Sequence, residues 1–226
     1  MSTTLRAAWL VFAKELRVEA RTGEVVITTT LFATLLAVLG ALSLYVNPHS
    51  AKLVAPGVLW IALSFAGILA MGRSWSRERD HDAFLALLLS PIPRAAIYLG
   101  KMLASLAFLA LVEAILLVEV GVLFQLDLGA KLGPLVALLA LGSVGFAATG
   151  NLFAALGVRA RGRDMLLAVI VFPIVAPVLL SGVVATRELL GGAPANEVLG
   201  WIRILAAFDV AFVTAGLVLF EPLVAD

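Results

Sequence analysis

Residues 73–101, RSWSRERDHDAFLALLLSPIPRAAIYLGK, open on a charged run, pass into an apolar stretch and break at two prolines. Long apolar runs flank them, at 53–72 before and 102–124 after. A hydrocarbon core is about 30 Å thick and an α-helix rises about 1.5 Å per residue, so a spanning helix needs about 20 apolar residues. Both flanks meet that length. The segment 73–101 is therefore expected to be a water-facing loop between two membrane spans.

Four more runs of this kind occur, at 25–46, 135–158, 165–186 and 201–220. Of the 226 residues, 62% are hydrophobic and 14% charged, where a soluble domain carries about 25% charged residues. The expected fold is an all-α integral membrane protein with six transmembrane helices in one membrane domain, 1–226. The first run is 22 residues long, beyond the roughly 7–15 apolar residues of a cleaved signal peptide, so it reads as a retained span. Ahead of it, residues 5–21 form an interfacial amphipathic helix. Leu5, Trp9, Phe12 and Leu16 fall on one side at three- and four-residue spacing, and Lys14, Arg17 and Arg21 on the other.

Orientation follows from where Lys and Arg lie. Twelve sit in the N-terminal helix, the 73–101 loop and the turn after the fourth run, against Lys52, Lys131, Arg187 and Arg203 on the opposite side. The positive-inside rule puts both termini and the 73–101 loop in the cytoplasm of an inner or plasma membrane protein.

Catalytic motifs are scarce. The chain has no cysteine, which excludes disulfides, thiolate metal sites and covalent haem attachment through Cys. His49 and His81 are the only imidazoles, too few for a dense metal cluster. Gly145 and Gly150 have P-loop spacing, but Asn151-Leu152 stands where Lys and Ser/Thr are required, inside an apolar run. Neither H-E-x-x-H nor G-x-S-x-G occurs. No catalytic residue, metal ligand, cofactor or nucleic-acid partner is expected, and the chain reads as a non-enzyme.

Three acidic residues lie inside apolar runs: Glu113, Glu119 and Asp209. A charge at the bilayer centre costs about 2.5–3.5 kcal/mol on insertion scales, so each must face a cavity, find a partner or be protonated. They are candidate intramembrane polar sites, either structural or part of a pathway. Glu113 and Glu119 fall about 120° apart round a helix, which argues against one paired carboxylate site. Pro173 and Pro177 predict a kinked or broken fifth span. Gly145 with Thr149, and Gly150 with Ala154, give the fourth span small-xxx-small spacing for close helix approach, within one subunit or at a dimer seam. Trp60, Trp75, Trp201, Tyr45 and Tyr98 are expected near span ends, and Arg203 is expected to snorkel.

Within 73–101, Phe84, Leu87 and Leu88 share a helical face with Leu85 and Leu89 beside them, until Pro91 and Pro93 stop the helix. A short amphipathic helix at about 80–90 is expected. So apolar a helix outside the spans must be buried in lipid headgroups, in the spans themselves or in another protein.

Six spans, an interfacial N-terminal helix and this loop helix resemble the permease half of an ABC-2 type (exporter-like) ABC transporter. Within that group the chain is most similar to the haem exporter protein B (CcmB) family of the cytochrome c maturation system. The likeness is carried by Ala55-Pro56-Gly57-Val58-Leu59-Trp60, Glu78-Arg79, Leu87-Leu88-Leu89-Ser90-Pro91-Ile92-Pro93, Gly100-Lys101, and Pro173 with Pro177. Where the family often reads Asp-Gly and then Glu along the loop helix, this chain has His81-Asp82 and Leu85.

The resemblance implies a permease that pairs with a separate ABC ATPase, two permeases with two ATPases, and with haem-handling membrane partners in haem delivery for c-type cytochrome biogenesis. It makes the loop helix the ATPase-coupling helix, with Glu78, Arg79, Asp80, His81, Asp82, Phe84, Leu85, Leu87 and Leu88 as its candidate residues. With no Cys and one outer His, mechanical coupling is favoured over direct haem carriage. Two alternatives stand beside it: the permease of another ABC-2 type exporter, and a self-contained ion-coupled secondary transporter using Glu113, Glu119 and Asp209.

Overall fold

The computed structural model describes residues 3–45, 47–80, 83–157 and 163–225. The elements are α1 (Thr3–Thr22), α2 (Glu24–Leu44), α3 (Pro48–Asp80), α4 (Ala83–Leu89), α5 (Arg94–Leu123), a 3-10 turn (Gly129–Lys131), α6 (Leu132–Gly157), α7 (Arg163–Gly191) and α8 (Ala195–Ala225), with no strand among the described residues. Six of these helices, α2, α3 and α5 to α8, are long and apolar enough to cross a membrane. The six-span, all-helical architecture read from the sequence is the observed one.

Small residues set how closely the helices approach. Thr29, Ala33, Ala37 and Ala41 recur every fourth residue and form the buried stripe of α2, while Leu31, Leu35, Leu39 and Leu42 face outward. At Gly40 an added Cβ would lie 2.7 Å from Val58 of α3. The turn between α1 and α2 needs a positive φ of 62° at Gly23, which costs a glycine nothing. Asn47 starts α3 by accepting hydrogen bonds from the amides of His49 (3.0 Å) and Ser50 (2.9 Å), with Pro48 as the first helical residue. His49 is exposed there.

The glycines of α6 receive side chains of the same chain. Cβ atoms at Gly142 and Gly150 would lie 2.3 Å from the Trp60 ring and 2.2 Å from Met71, and one at Gly145 would lie 2.7 Å from Asp209. Close packing within one subunit therefore accounts for the small residues of this span.

Several expectations are corrected. The 73–101 loop is shorter than the charge pattern implied, because α3 continues to Asp80 and α5 already begins at Arg94. The charged run Arg73–Glu78 contains no Gly or Pro and is neutralised by partners on α1, α2 and α5, so it extends the helix instead of ending it. Helix α7 is continuous through Pro173 and Pro177 and not broken. Both prolines lie on its exposed face, while Val171, Val175, Val178, Ser181 and Ala185 pack inward. Trp60, Trp75 and Tyr98, expected near span ends, are fully buried within the bundle. Their polar atoms are used inside the bundle: Trp60 Nε1 donates to Thr186 Oγ1 (2.9 Å), Trp75 Nε1 to Asn151 Oδ1 (2.9 Å) and Tyr98 Oη to the Ala148 carbonyl (3.0 Å).

Candidate functional site

Helix α4 is seven residues long, shorter than the expected 80–90. It ends where Ser90 turns its amide to the Ala86 carbonyl (3.1 Å) and its hydroxyl to the Leu87 carbonyl (2.6 Å), and Pro91 and Pro93 cannot extend it. Leu87 and Leu88 pack against a core containing Met71, Trp75, Ile97 and Tyr98. Leu85 (55%) and Leu89 (78%) point away from the protein. The expected apolar face thus divides: two leucines anchor the helix and two are presented outward. His81 and Asp82 lie outside the described residues, as do the side chains of Arg79, Asp80 and Phe84 and the basic turn at 159–162.

Directly behind this helix the structure assembles charges that periodicity alone had placed on a solvated face. Helix α1 buries Ala7, Ala8, Val11, Glu15 and Glu19. Leu5 and Trp9, two of the four residues assigned to its apolar face, are exposed, while Phe12 and Leu16 are half-buried against Val25, Ala70, Ala104 and Phe108. Close approach of α1 to α5 is set at Gly100, where a Cβ would lie 2.5 Å from Val11 Cβ and 2.7 Å from the Ala8 carbonyl oxygen.

The next residue, Lys101, has no exposed side-chain surface. Its Nζ lies 2.9 Å from Glu15 and 2.7 Å from Glu78, donates to the carbonyl (3.2 Å) and hydroxyl (3.3 Å) oxygens of Ser74, and stands 5.1 Å from the centre of the Trp75 ring. Lys14 adds a second ammonium, 3.0 Å from Glu15 and also hydrogen-bonded to Glu78. Two carboxylates and two ammonium groups balance, as buried charges must. Burial alone would raise the Glu15 carboxyl, but Lys101 and Lys14 outweigh it and hold the pKa down to about 2. Burial also opposes the charge on Lys14, yet Glu15 and Glu78 raise its pKa above 10.5.

Two further pairs extend the seam: Arg77 with Glu19 (3.2 Å) and Arg73 with Glu24 (2.8 Å). Glu19 also accepts the Val26 amide of α2 (2.8 Å). Helices α1, α2, α3 and α5 are thereby tied together at the end of α3 that leads into α4. The sequence did carry a signal for this, since positions 8, 11, 15 and 19 recur at helical spacing and include the small residues facing Gly100. Counting charged residues as exposed hid it.

The three intramembrane carboxylates are not brought together. Glu113 accepts from the Ser143 hydroxyl of α6, Glu119 accepts from Thr34 Oγ1 of α2 at 2.7 Å, and Asp209 of α8 lies against Gly145. Ser143 and Gly145 are two residues apart, so they face nearly opposite sides of α6. Each carboxylate sits at a different helix contact, and among the described residues no group of three His, Cys, Asp or Glu side chains is placed to hold a metal ion.

Comparison with known proteins agrees with this architecture. The sequence profile of the CcmB protein family matches residues 6–221. The chain is 31% identical over 204 residues to the Heme exporter protein B of Pseudomonas aeruginosa, covering 88% of each chain. It is 28% identical over 181 residues to the Heme exporter protein B of Bradyrhizobium diazoefficiens, covering 79% of this chain and 80% of that one. A shorter match, 29% identical over 96 residues, relates it to the Heme exporter protein B of Escherichia coli K12 and covers 42% of this chain and 44% of that one.

Proposed function

This chain belongs to the CcmB protein family, and from that premise we propose that it is the permease subunit of an ABC-2 type transporter in haem delivery for c-type cytochrome biogenesis. It is a multi-pass inner-membrane protein of the haem-exporter type. In this reading the whole chain is one membrane domain with both termini in the cytoplasm, and a separate ATPase subunit hydrolyses ATP. Two permeases and two ATPases form the complex, together with haem-handling membrane partners.

One observation carries the proposal furthest: α4 presents Leu85 and Leu89 outward while Leu87 and Leu88 fasten it to the bundle. A partner that grips the outer leucines pulls on a helix packed against the core. Glu78, five residues before α4, passes that displacement through Lys101 and Glu15 to α5 and α1. This is mechanical coupling, and it requires no haem ligand from this subunit.

Co-purification with the ATPase subunit from detergent tests it. Leu85→Asp with Leu89→Asp is expected to abolish recovery of the ATPase while leaving the permease monodisperse. Leu88→Asp is the poorer probe because Leu88 also packs inside. Full recovery of the ATPase with the double variant would remove α4 as the docking element.

A further inference from the structure

The packing of α1 sorts its charges. Its two acids, Glu15 and Glu19, are turned into the protein, where Lys101, Lys14 and Arg77 neutralise them. Of its four cations, Lys14 joins that cluster, whereas Arg6, Arg17 and Arg21 are exposed and pair with no carboxylate among the described residues. At about 100° per residue, these three arginines fall within an arc of about 60°. One flank of α1 therefore carries three positive charges and no acid, and Arg17 and Arg21 repel each other one turn apart.

The contacts of α1 fix the depth of that flank. On the other flank Phe12 and Leu16 pack against Val25, Ala70, Ala104 and Phe108 of the membrane spans, and the exposed Leu5 and Trp9 lie on the same side. Lys14, beside the basic arc, meets Glu78 instead, about 12 Å further along α3 than Ala70. Turning from the apolar flank to the basic one is thus a step out of the hydrocarbon, which sets the arginines at headgroup level above Leu5 and Trp9.

We propose that this basic flank of α1 binds anionic phospholipid headgroups. The phosphates accept charge-assisted hydrogen bonds from Arg6, Arg17 and Arg21, while Leu5 and Trp9 enter the acyl layer. A lipid of net negative charge supplies the counter-charge that the flank lacks. A zwitterionic headgroup brings its own ammonium and leaves the arginines uncompensated. Exposed apolar side chains run alongside the arginines at interfacial depth, and that pairing matches a bilayer better than an acidic protein segment.

Native mass spectrometry of the full chain, released from nanodiscs of equal parts phosphatidylglycerol and phosphatidylcholine, tests this assignment. Preferential retention of phosphatidylglycerol is expected. Arg17→Gln is expected to lower the preference about fivefold, the effect of one basic residue at an anionic surface. The triple variant Arg6→Gln, Arg17→Gln and Arg21→Gln is expected to bring retention of the two lipids close to equal. Lysine at the same three positions keeps the charge and is expected to keep most of the preference. Equal retention by the wild-type chain, or an undiminished preference in a monodisperse triple variant, would overturn the proposal. So would unchanged lipid retention joined to loss of ATPase co-purification in the triple variant, which would give the flank to an acidic surface of that subunit.

Discussion

Lys101 Nζ lies 2.7 Å from Glu78 Oε1, and no part of the lysine side chain is exposed. With Glu15 2.9 Å away on its other side, a single residue of α5 joins the end of α3 to the N-terminal helix. Removing one partner of a buried ion pair costs about 3–5 kcal/mol, because the other charge stays behind. Lys101→Met is therefore expected to lower the melting temperature in detergent sharply and to release α1. Adding Glu78→Met to it removes the stranded carboxylate and is expected to restore part of the loss. A melting temperature unchanged in Lys101→Met would show that the seam contributes nothing.

The same seam fixes a pH dependence. In the folded chain Glu15 titrates at about 2 and in the unfolded chain near 4.5. A depressed carboxyl stabilises the fold above its unfolded pKa and loses that contribution as pH falls through the folded value. Lys14 works in the opposite sense, since its pKa is raised above 10.5 and its contribution is complete below that value. Thermal stability is expected to be level from about pH 5 to pH 9 and to fall on acidification from about 4.5 toward 2. Glu15→Gln is expected to be less stable at neutral pH and to flatten the acid limb. An acid limb of the same depth in Glu15→Gln would assign it to other carboxyls.

Gly100 offers a steric test of the α1–α5 contact. A Cβ there would lie 2.5 Å from Val11 Cβ and 2.7 Å from a backbone oxygen of α1, so something must move. Overpacking of this kind costs about 1–3 kcal/mol. Gly100→Val is expected to loosen α1 from α5 and to hasten tryptic cleavage at the exposed Arg17 and Arg21. At Gly57, where nothing lies within 4 Å of an added Cβ, Gly→Ala is expected to be neutral or stabilising by up to about 1 kcal/mol, from helix propensity. Equal cleavage rates in Gly100→Val and wild type would remove the close approach as a determinant of α1 docking.

What was legible in the sequence was whatever hydrophobic length and punctuation encode. Six spans and the stop at Pro91 and Pro93 follow from local chemistry and recur in the structure. Pairing between distant segments was not legible. Glu15, Glu78 and Lys101 each look solvated in one dimension and are buried only because α1, α3 and α5 meet. The burial of the aromatic residues was hidden for a related reason. Proximity to a span end suggests an interface, but the ring of Trp60 fits over Gly142 and Gly182, which only the packed bundle brings to it. The helix α4 was legible as amphipathic, whereas the division of its leucines into anchors and outward contacts depends on the core beneath it.

The intramembrane carboxylates separate coupled haem delivery from ion-driven transport. Glu113 is engaged by Ser143 and Glu119 by Thr34, on different helices, and Asp209 lies across α6 from the first of these. A proton relay needs groups within hydrogen-bond reach or linked by one water, and these three carboxylates do not converge. Their amides keep the hydrogen-bonding shape while removing the titration. Glu113→Gln, Glu119→Gln and Asp209→Asn are therefore each expected to support near-normal amounts of covalently haem-loaded cytochrome c, measured in membranes at matched expression. A loss of about tenfold or more in Glu113→Gln, equivalent to ~1.4 kcal/mol in an equilibrium, with the protein still monodisperse, would make that carboxyl a proton carrier and favour the secondary-transporter reading. Retained activity in all three, lost on disrupting Leu85 and Leu89, would place the driving force outside the membrane spans and support a partner docked on α4.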